Sequence, residues 1–190
     1  FMSRFYRIAL STTLLIAIAC GGCRRERPAE IAKADSEESI SSARLLVQKQ
    51  VVEPGSEFEL GVMISLAEGW HTYADPPGDS GMAPALTLDL PEGVEAGDLM
   101  YPAHQEFTDA AGTTYGFENR VLLRVPVSVS AEAEPAGERR IGATLDYLIC
   151  SDVCLPQRAE LSGMIEIGSA ASATRTEWQQ ALREGGWTGE

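Results

Sequence analysis

The sequence predicts an all-β fold, an antiparallel β-sandwich that is followed by one short α-helix. Two observations support this prediction. Apolar and polar residues alternate with a period of two in several segments, as they do in strands that bury one face. About eight such segments follow one another at short spacing, separated by turns with proline or glycine, and this arrangement favours a sandwich over alternating strands and helices.

The strands are assigned in chain order from this alternation. Phe58 to Leu66 gives the clearest pattern, with every second residue apolar. The predicted strands are residues 45–52, 58–66, 70–73, 86–90, 94–100, 121–129, 141–149 and 161–167. Turns are predicted at Glu53-Pro54-Gly55 and Pro91-Glu92-Gly93, because proline and glycine favour the backbone angles of tight turns.

One helix is predicted near the end of the chain. Thr174 or Thr176 is expected to cap it, and it should run through Leu182 and stop at Gly185. It belongs to a C-terminal tail, residues 169–190, that either packs on the sandwich or begins a linker.

Length and charge limit the classes of function. The 190 residues suffice for one domain with a tether, and 44% hydrophobic and 23% charged residues are typical of a globular chain. The formal net charge of -13 would repel nucleic acid. It favours protein or cation partners, or simply keeps an exported protein soluble.

The first segment is typical of a signal peptide. Arg4 and Arg7 precede an apolar run, Ile8 to Ala19, that is too short to span a bilayer comfortably. We therefore predict a signal peptide over residues 1–19. Since no second long apolar stretch follows, any transmembrane function should come from a partner.

A lipid anchor is predicted directly after this segment. Residues 17–20 (AIAC) resemble a bacterial lipobox, which makes Cys20 the candidate for lipidation. Residues 20–43 are then the lipidated cysteine and a flexible, polar linker. The chain is expected to be exported and lipid-anchored at the periplasmic side of a bacterial membrane. Alternatively, Cys20 and Cys23 are removed with an ordinary signal peptide or form a small disulfide.

The other two of the four cysteines, Cys150 and Cys154, lie in the predicted sandwich domain, residues 44–168. Ile149 belongs to the buried set of its strand, so Cys150 should point its sulfur outward. Residues 151–152 favour a turn that returns Cys154 to disulfide range, a Cα separation of roughly 4.4 to 6.8 Å.

The short spacing of this pair favours reactivity over stabilisation. A disulfide that closes a short loop removes little entropy from the unfolded chain, so it adds little stability to the fold. An accessible disulfide in a tight loop is also more readily attacked by a thiolate. The pair therefore points to thiol-disulfide exchange, and a purely structural disulfide is the alternative.

Several motifs in order resemble one known family. They are residues 70–73 (WHTY), 77–81 (PGDSG), 91–94 (PEGV), 115–118 (YGFE) and 148–156 (LICSDVCLP). Over roughly residues 44 to 167 they look like the N-terminal periplasmic domain of DsbD-type and ScsB-type thiol:disulfide interchange proteins.

The resemblance implies an immunoglobulin-like sandwich and a redox function without a cofactor. Its cysteines would receive electrons from a membrane thiol:disulfide transporter and pass them to thioredoxin-like periplasmic proteins. By position, Cys154 would form mixed disulfides with partners and Cys150 would resolve them.

The resemblance also implies a cap loop over the cysteines. Residues 104–108 (HQEFT) occupy the matching place, with Phe107 as the aromatic lid and Glu106 beside it. This polar stretch is expected to be a mobile loop. His71 and Tyr73 are candidates to line the same site. Without the resemblance, all three aromatic rings could equally be ordinary packing.

Two other classes of function stay open. Thiolate, imidazole and thioether groups bind Cu(I), so a copper-handling lipoprotein could use Cys150 and Cys154 with His71, His104 or Met82. The spacing also resembles Sco-type copper chaperones, although those carry their cysteines early and at a helix, unlike this late pair in an all-β pattern. The third class is a non-catalytic β-sandwich module with a structural disulfide. No metal site is assigned from the sequence.

Overall fold

The computed structural model describes residues 39–109, 112–135 and 137–187. The predicted signal peptide, Cys20 and nearly all of the predicted linker lie outside the described residues. Among the residues that are described, no helix is both long and apolar enough to cross a membrane.

The described residues form strands that pair in two sheets, followed by one helix. The elements are β1 (Ser41–Val47), β2 (Val51–Val52), β3 (Glu57–Leu66), β4 (His71–Gly78), β5 (Ala85–Asp89), β6 (Val94–Ala96), β7 (Gln105–Asp109), β8 (Gly112–Glu118), β9 (Arg120–Val129), β10 (Gly137–Cys150), β11 (Cys154–Ile167) and α1 (Thr176–Glu184). The predicted all-β class with a short C-terminal helix is confirmed.

The smaller sheet has the order β1-β3-β9-β6, and the larger has the order β2-β11-β10-β4-β8-β7, with β5 also paired to β10. Neighbouring strands run antiparallel, except that β2 and β11 are parallel. The core lies between the two sheets, because buried residues of β3 and β9 form clusters with buried residues of β10.

The predicted alternation places the core residues correctly. On β10, Ile141, Ala143, Leu145, Tyr147 and Ile149 are buried, and the residues that alternate with them, from Gly142 to Leu148, are only partly buried. The facing residues of the smaller sheet are Leu60, Val62, Ile64, Val121, Leu123 and Val125. The outer face of the larger sheet is therefore the face that carries Cys150.

The prediction that residues 104–108 form a mobile loop is wrong from Gln105 onward, where the chain forms a strand. Gln105–Asp109 forms β7, and Gly112–Glu118 pairs with it as β8, so Glu106 and Phe107 lie on a strand. β7 is at the edge of its sheet and buries no continuous face, so its residues show no alternation. Its backbone hydrogen bonds to β8 define the strand instead. We call β7 and β8 the cap hairpin.

The helix begins and ends close to the predicted positions, but its cap differs. Arg175 occupies the N-cap position without a side-chain hydrogen bond, so capping by Thr174 or Thr176 is wrong. Thr176 is already the first helical residue, where its hydroxyl cannot take the capping position. At the other end, the predicted stop is confirmed, because the N–H of Gly185 donates to the carbonyl of Ala181 at 2.8 Å.

Helix α1 packs on the outer face of the smaller sheet. Trp178 and Ala181 are buried there, at 1% and 0% exposure, against Leu46, Met63 and Leu122. Gly61 makes room for the indole, since a Cβ at this position would lie 2.8 Å from the Trp178 ring. Helix α1 of the predicted tail is thus part of the packed domain.

Candidate redox site around Cys150 and Cys154

The two cysteines lie opposite each other at the end of the long β10–β11 hairpin. Cys150 and Cys154 form its last cross-strand pair and are joined by a disulfide with a Cα separation of 4.1 Å. The chain reverses through Ser151, Asp152 and Val153, where the N–H of Ser151 donates to the carbonyl of Val153 at 3.0 Å. The predicted pairing is confirmed, and the Cα atoms are slightly closer than expected.

The two sulfur-bearing residues differ in exposure. Cys154 is exposed, whereas Cys150 is only 2% exposed. Alternation along β10 placed Cys150 on the outer face correctly, but the prediction that its sulfur is open to solvent is wrong. The reason is a side chain from another strand, because Tyr73 of β4 lies over the sulfur. A thiolate from solvent or from a partner should therefore meet Cys154 first.

Tyr73 gives Cys150 a specific polar contact. The buried Tyr73 hydroxyl donates a hydrogen bond to Cys150 Sγ at 3.0 Å and lies 3.9 Å from Cys154 Sγ. A donor at this position stabilises a thiolate more than a neutral thiol. Since a more stable thiolate leaves faster, this contact favours Cys150 as the leaving sulfur when Cys154 is attacked.

Phe107 connects to the disulfide through two further rings. The Phe107 ring stacks on His71 with centroids 4.9 Å apart, and His71 meets Tyr73 edge-on at 5.3 Å. His71 also pairs directly with Cys150 across β4 and β10. The structure thus brings the predicted Phe107, His71 and Tyr73 into one aromatic row beside the cysteines.

Glu106 does not join this row. It is adjacent to Phe107 on β7, so strand alternation places its side chain on the other face of the sheet. Its exposed carboxylate accepts a hydrogen bond from the Thr108 hydroxyl at 3.5 Å. Glu106 was predicted to line the site, but the structure shows no contact between it and the two cysteines.

Of the histidines and methionine considered for copper, His71 lies beside the disulfide, where it pairs with Cys150 across β4 and β10. His104 packs against Tyr115, with ring centroids 4.9 Å apart, and Met82 is exposed. Across the described ranges, no three His, Cys, Asp or Glu side chains come together as a group that could hold a metal ion. The arrangement around the sulfurs is aromatic and suits disulfide chemistry better than metal chelation.

The segment that follows β4 packs on the site, a contact that its sequence does not predict. At Gly81 the backbone φ is 96°, and a Cβ would lie 2.1 Å from Cε1 of Tyr73. Gly81 therefore lets the main chain cover the tyrosine ring. The PGDSG motif indicates a turn, but only the folded chain shows which ring that turn covers.

Tyr101 anchors the end of the same segment, because its hydroxyl donates to the carbonyl of Pro84 at 2.8 Å. Burial, together with the negative charge of Asp75, raises the pKa of Tyr101 to about 12. An unfolded tyrosine titrates near pH 10, so the unfolded chain loses this proton first. The contribution of Tyr101 to the free energy of unfolding is therefore fully present below about pH 10 and is lost as the pH rises towards about 12.

We expect a Tyr101→Phe variant to lose less stability than the wild type on going from about pH 8 to about pH 11. The measurement is the urea midpoint of both proteins at each pH. All other groups that titrate at alkaline pH are the same in the two proteins. The difference between the two declines in urea midpoint therefore measures the effect of Tyr101 alone. Equal declines in the two midpoints would contradict the raised pKa.

The fold and site together define a β-sandwich domain with one sheltered and one exposed cysteine in a hairpin disulfide. The chain belongs to the N-terminal domain family of the thiol:disulfide interchange protein DsbD, which it matches over residues 42–165. The resemblance found in the sequence motifs is thereby confirmed, and so is the immunoglobulin-like sandwich that it implied.

One solved structure shows the same fold. The N-terminal periplasmic domain of ScsB from Proteus mirabilis is 22% identical with a TM-score of 0.54, over 80% of this chain and 56% of that one. This chain thus spans little more than half of the ScsB chain, and the likeness supports the shared fold.

Two structures from Neisseria meningitidis are also similar. The DsbD N-terminal domain in the reduced form is 15% identical with a TM-score of 0.36, covering 69% of this chain and 90% of that one. The complex of DsbD and PilB N-terminal domains gives 15% identity and a TM-score of 0.37, over 76% and 95%. No curated protein matches the chain.

Proposed function

We propose that this chain is a periplasmic thiol-disulfide exchange domain that works through Cys150 and Cys154. It would receive electrons from a membrane thiol:disulfide transporter and pass them to thioredoxin-like proteins. One observation carries the proposal: Cys154, an exposed residue, is bonded to the buried Cys150, whose sulfur already has a hydroxyl donor. Membership of the DsbD N-terminal family supports the same chemistry.

The asymmetry assigns different steps to the two sulfurs. In the reduced domain, the Cys154 thiolate attacks the partner's disulfide, forms a mixed disulfide and releases one partner thiolate. The Cys150 thiolate then attacks Cys154 Sγ, which restores the Cys150–Cys154 disulfide and releases the second partner thiol. Two electrons pass to the partner. The reverse sequence, with a thiol donor, reduces the domain again.

The proposal also covers the cellular localisation and the domain organisation of the chain. Residues 1–19 would direct export, Cys20 would carry the lipid, and residues 20–43 would tether the domain to the periplasmic side of the membrane. The sandwich, residues 44–168, and the tail, residues 169–190, would then act as one folded unit, as supported by the packing of Trp178. Labelling with a radioactive fatty acid would test the anchor, and a Cys20→Ser variant should lose the label.

The exchange function is tested by the reduction potential of the disulfide and by transfer to a protein acceptor. We expect the potential to lie above about -300 mV, outside the range of inert structural disulfides. The reduced domain should reduce an oxidised thioredoxin-like protein, and a Cys154→Ser variant should fall to the background rate because it lacks the exposed sulfur.

Equilibration with a glutathione buffer gives the potential, and alkylation followed by mass spectrometry gives the rate. A potential well below about -300 mV would identify the pair as a structural disulfide and contradict the proposed function.

A further inference from the structure

Three residues of the larger sheet form a row that ends at the disulfide. His71 of β4 pairs directly with Cys150 of β10 on one side and with Glu118 of β8 on the other. Residues that pair directly across antiparallel strands have their side chains on the same face, with Cβ atoms about 4.5 to 5.5 Å apart. Cys150, His71 and Glu118 are therefore neighbours on the outer face of this sheet. We call them the cross-strand row.

The cross-strand row places a titratable imidazole between a sulfur and a carboxylate. An unperturbed histidine titrates near about pH 6.5, and His71 is only partly buried, so its charged form keeps part of its hydration. The exposed carboxylate of Glu118 favours the imidazolium form, because the two charges are opposite. The ring of Phe107 stacks on His71 with centroids 4.9 Å apart, and an aromatic face also attracts a cation.

The other charged residues around His71 act in the same direction. β4, β7 and β8 contain no lysine or arginine, and the arginines of β10 lie at the end of that strand far from Cys150. The first base after β8 in the chain, Arg120, is paired with Glu184 at 2.6 Å. The acidic residues on the elements around His71, besides Glu118, are Asp75, Glu106, Asp109 and Asp152. A positive charge on His71 is thus surrounded by acidic residues.

We propose that His71, held in its charged form by Glu118 as a positioning residue, stabilises the Cys150 thiolate that departs when the disulfide opens. The inference rests on the proposed exchange function, since it concerns the same sulfurs. When a thiolate bonds to Cys154 Sγ, the Cys150–Cys154 bond breaks and its electron pair stays on Cys150 Sγ. A positive charge at the neighbouring position lowers the energy of this thiolate, and the proton stays on the imidazole.

The test measures reduction of the full chain by dithiothreitol from about pH 5.5 to about pH 8, the range in which histidine titrates. One dithiothreitol thiolate attacks Cys154 Sγ and displaces the Cys150 thiolate; its second thiol then releases Cys154 and forms the cyclic disulfide. Alkylation and mass spectrometry of the peptide that contains both cysteines give the rate. Each rate is divided by the concentration of dithiothreitol thiolate at that pH, so that the rate constant reflects the protein alone.

We expect this rate constant to fall by about fivefold as the pH rises and His71 loses its charge. A charge interaction of one full pKa unit would give about tenfold. The expected factor is smaller, because the departing sulfur carries only part of its negative charge in the transition state. A wild-type rate constant that does not change over this pH range would overturn the inference.

Two histidine variants assign the titrating group. His71→Phe keeps an aromatic ring in the stack and removes the charge, so its rate constant should be independent of pH and equal to the wild-type value near about pH 8. His104→Phe is the matched control, since it changes the other of the two histidines, which packs against Tyr115. This control should keep the wild-type profile. A fall that persists in His71→Phe, or that is lost in His104→Phe, would contradict the role of His71.

The contribution of Glu118 is read from the midpoint of the same profile. In Glu118→Gln the fall should remain, but its midpoint should move to lower pH by about half a unit, the size expected for an exposed ion pair. A merely structural role would instead change the rate constant equally at every pH. An unmoved midpoint would overturn the assignment of Glu118. Should His71→Phe not fold, His71→Gln makes the same comparison with an uncharged polar side chain.

The outcome is separable from that of the proposed function, because dithiothreitol needs no protein partner. If the wild type fails to exchange with thioredoxin-like proteins while its reduction shows the pH dependence that His71→Phe lacks, the proposed function fails and the role of His71 stands. If the wild type exchanges normally and His71→Phe keeps the wild-type profile, the role of His71 alone fails.

Discussion

A Cys150→Ala variant is expected to accumulate as a mixed disulfide with an oxidised thioredoxin-like protein, joined through Cys154. The exposed Cys154 thiolate can attack the partner, but the variant has no second thiol to resolve the bond. In Cys154→Ala the remaining thiol is buried beneath Tyr73, so the adduct should be scarcer by about tenfold or more.

The mixed disulfide is detected by electrophoresis without reductant and by mass spectrometry, where the adduct has the summed mass of both chains. All variants should carry Cys20→Ser and Cys23→Ser, so that no other thiol of the chain reacts. Addition of dithiothreitol should release both proteins. Equal trapping by the two single variants, or by neither, would contradict the roles assigned from exposure.

The sequence predicts most of the fold because burial leaves a repeating pattern. β3, β9 and β10 each pack one face against the opposite sheet, so their alternation is visible in the sequence and their inward residues were assigned correctly. The edge strand β7 has a neighbour on one side only and lacks this pattern. Its pairing depends on β8, which local sequence does not encode strongly.

The candidate site was predictable in its chemistry but not in its exposure. The cysteine spacing and the turn between them indicate a hairpin disulfide, and the structure contains it. The shelter of Cys150 depends on Tyr73, which is 77 residues away in sequence and on another strand. Contacts over such distances follow from the register of the sheet, which the local sequence does not show.

The C-terminal helix provides the second large prediction. A Trp178→Ala variant is expected to lose about 3–5 kcal/mol of unfolding free energy, because it removes a fully buried indole and leaves a cavity over Leu122 and Met63. This is a large part of the roughly 5–15 kcal/mol that stabilises a typical domain. The midpoint of urea unfolding, followed by circular dichroism, measures the loss.

Gln179→Ala is the matched control, since it changes an exposed residue of the same helix and should shift stability by no more than about 0.5 kcal/mol. A loss below about 1 kcal/mol for Trp178→Ala would show that α1 is not docked in solution. Helix α1 covers the outer face of the smaller sheet, whereas the disulfide lies on the outer face of the larger one. While the domain stays folded, reduction of Cys150–Cys154 by dithiothreitol should therefore proceed at the wild-type rate, because the helix stabilises the sandwich without contacting the redox site.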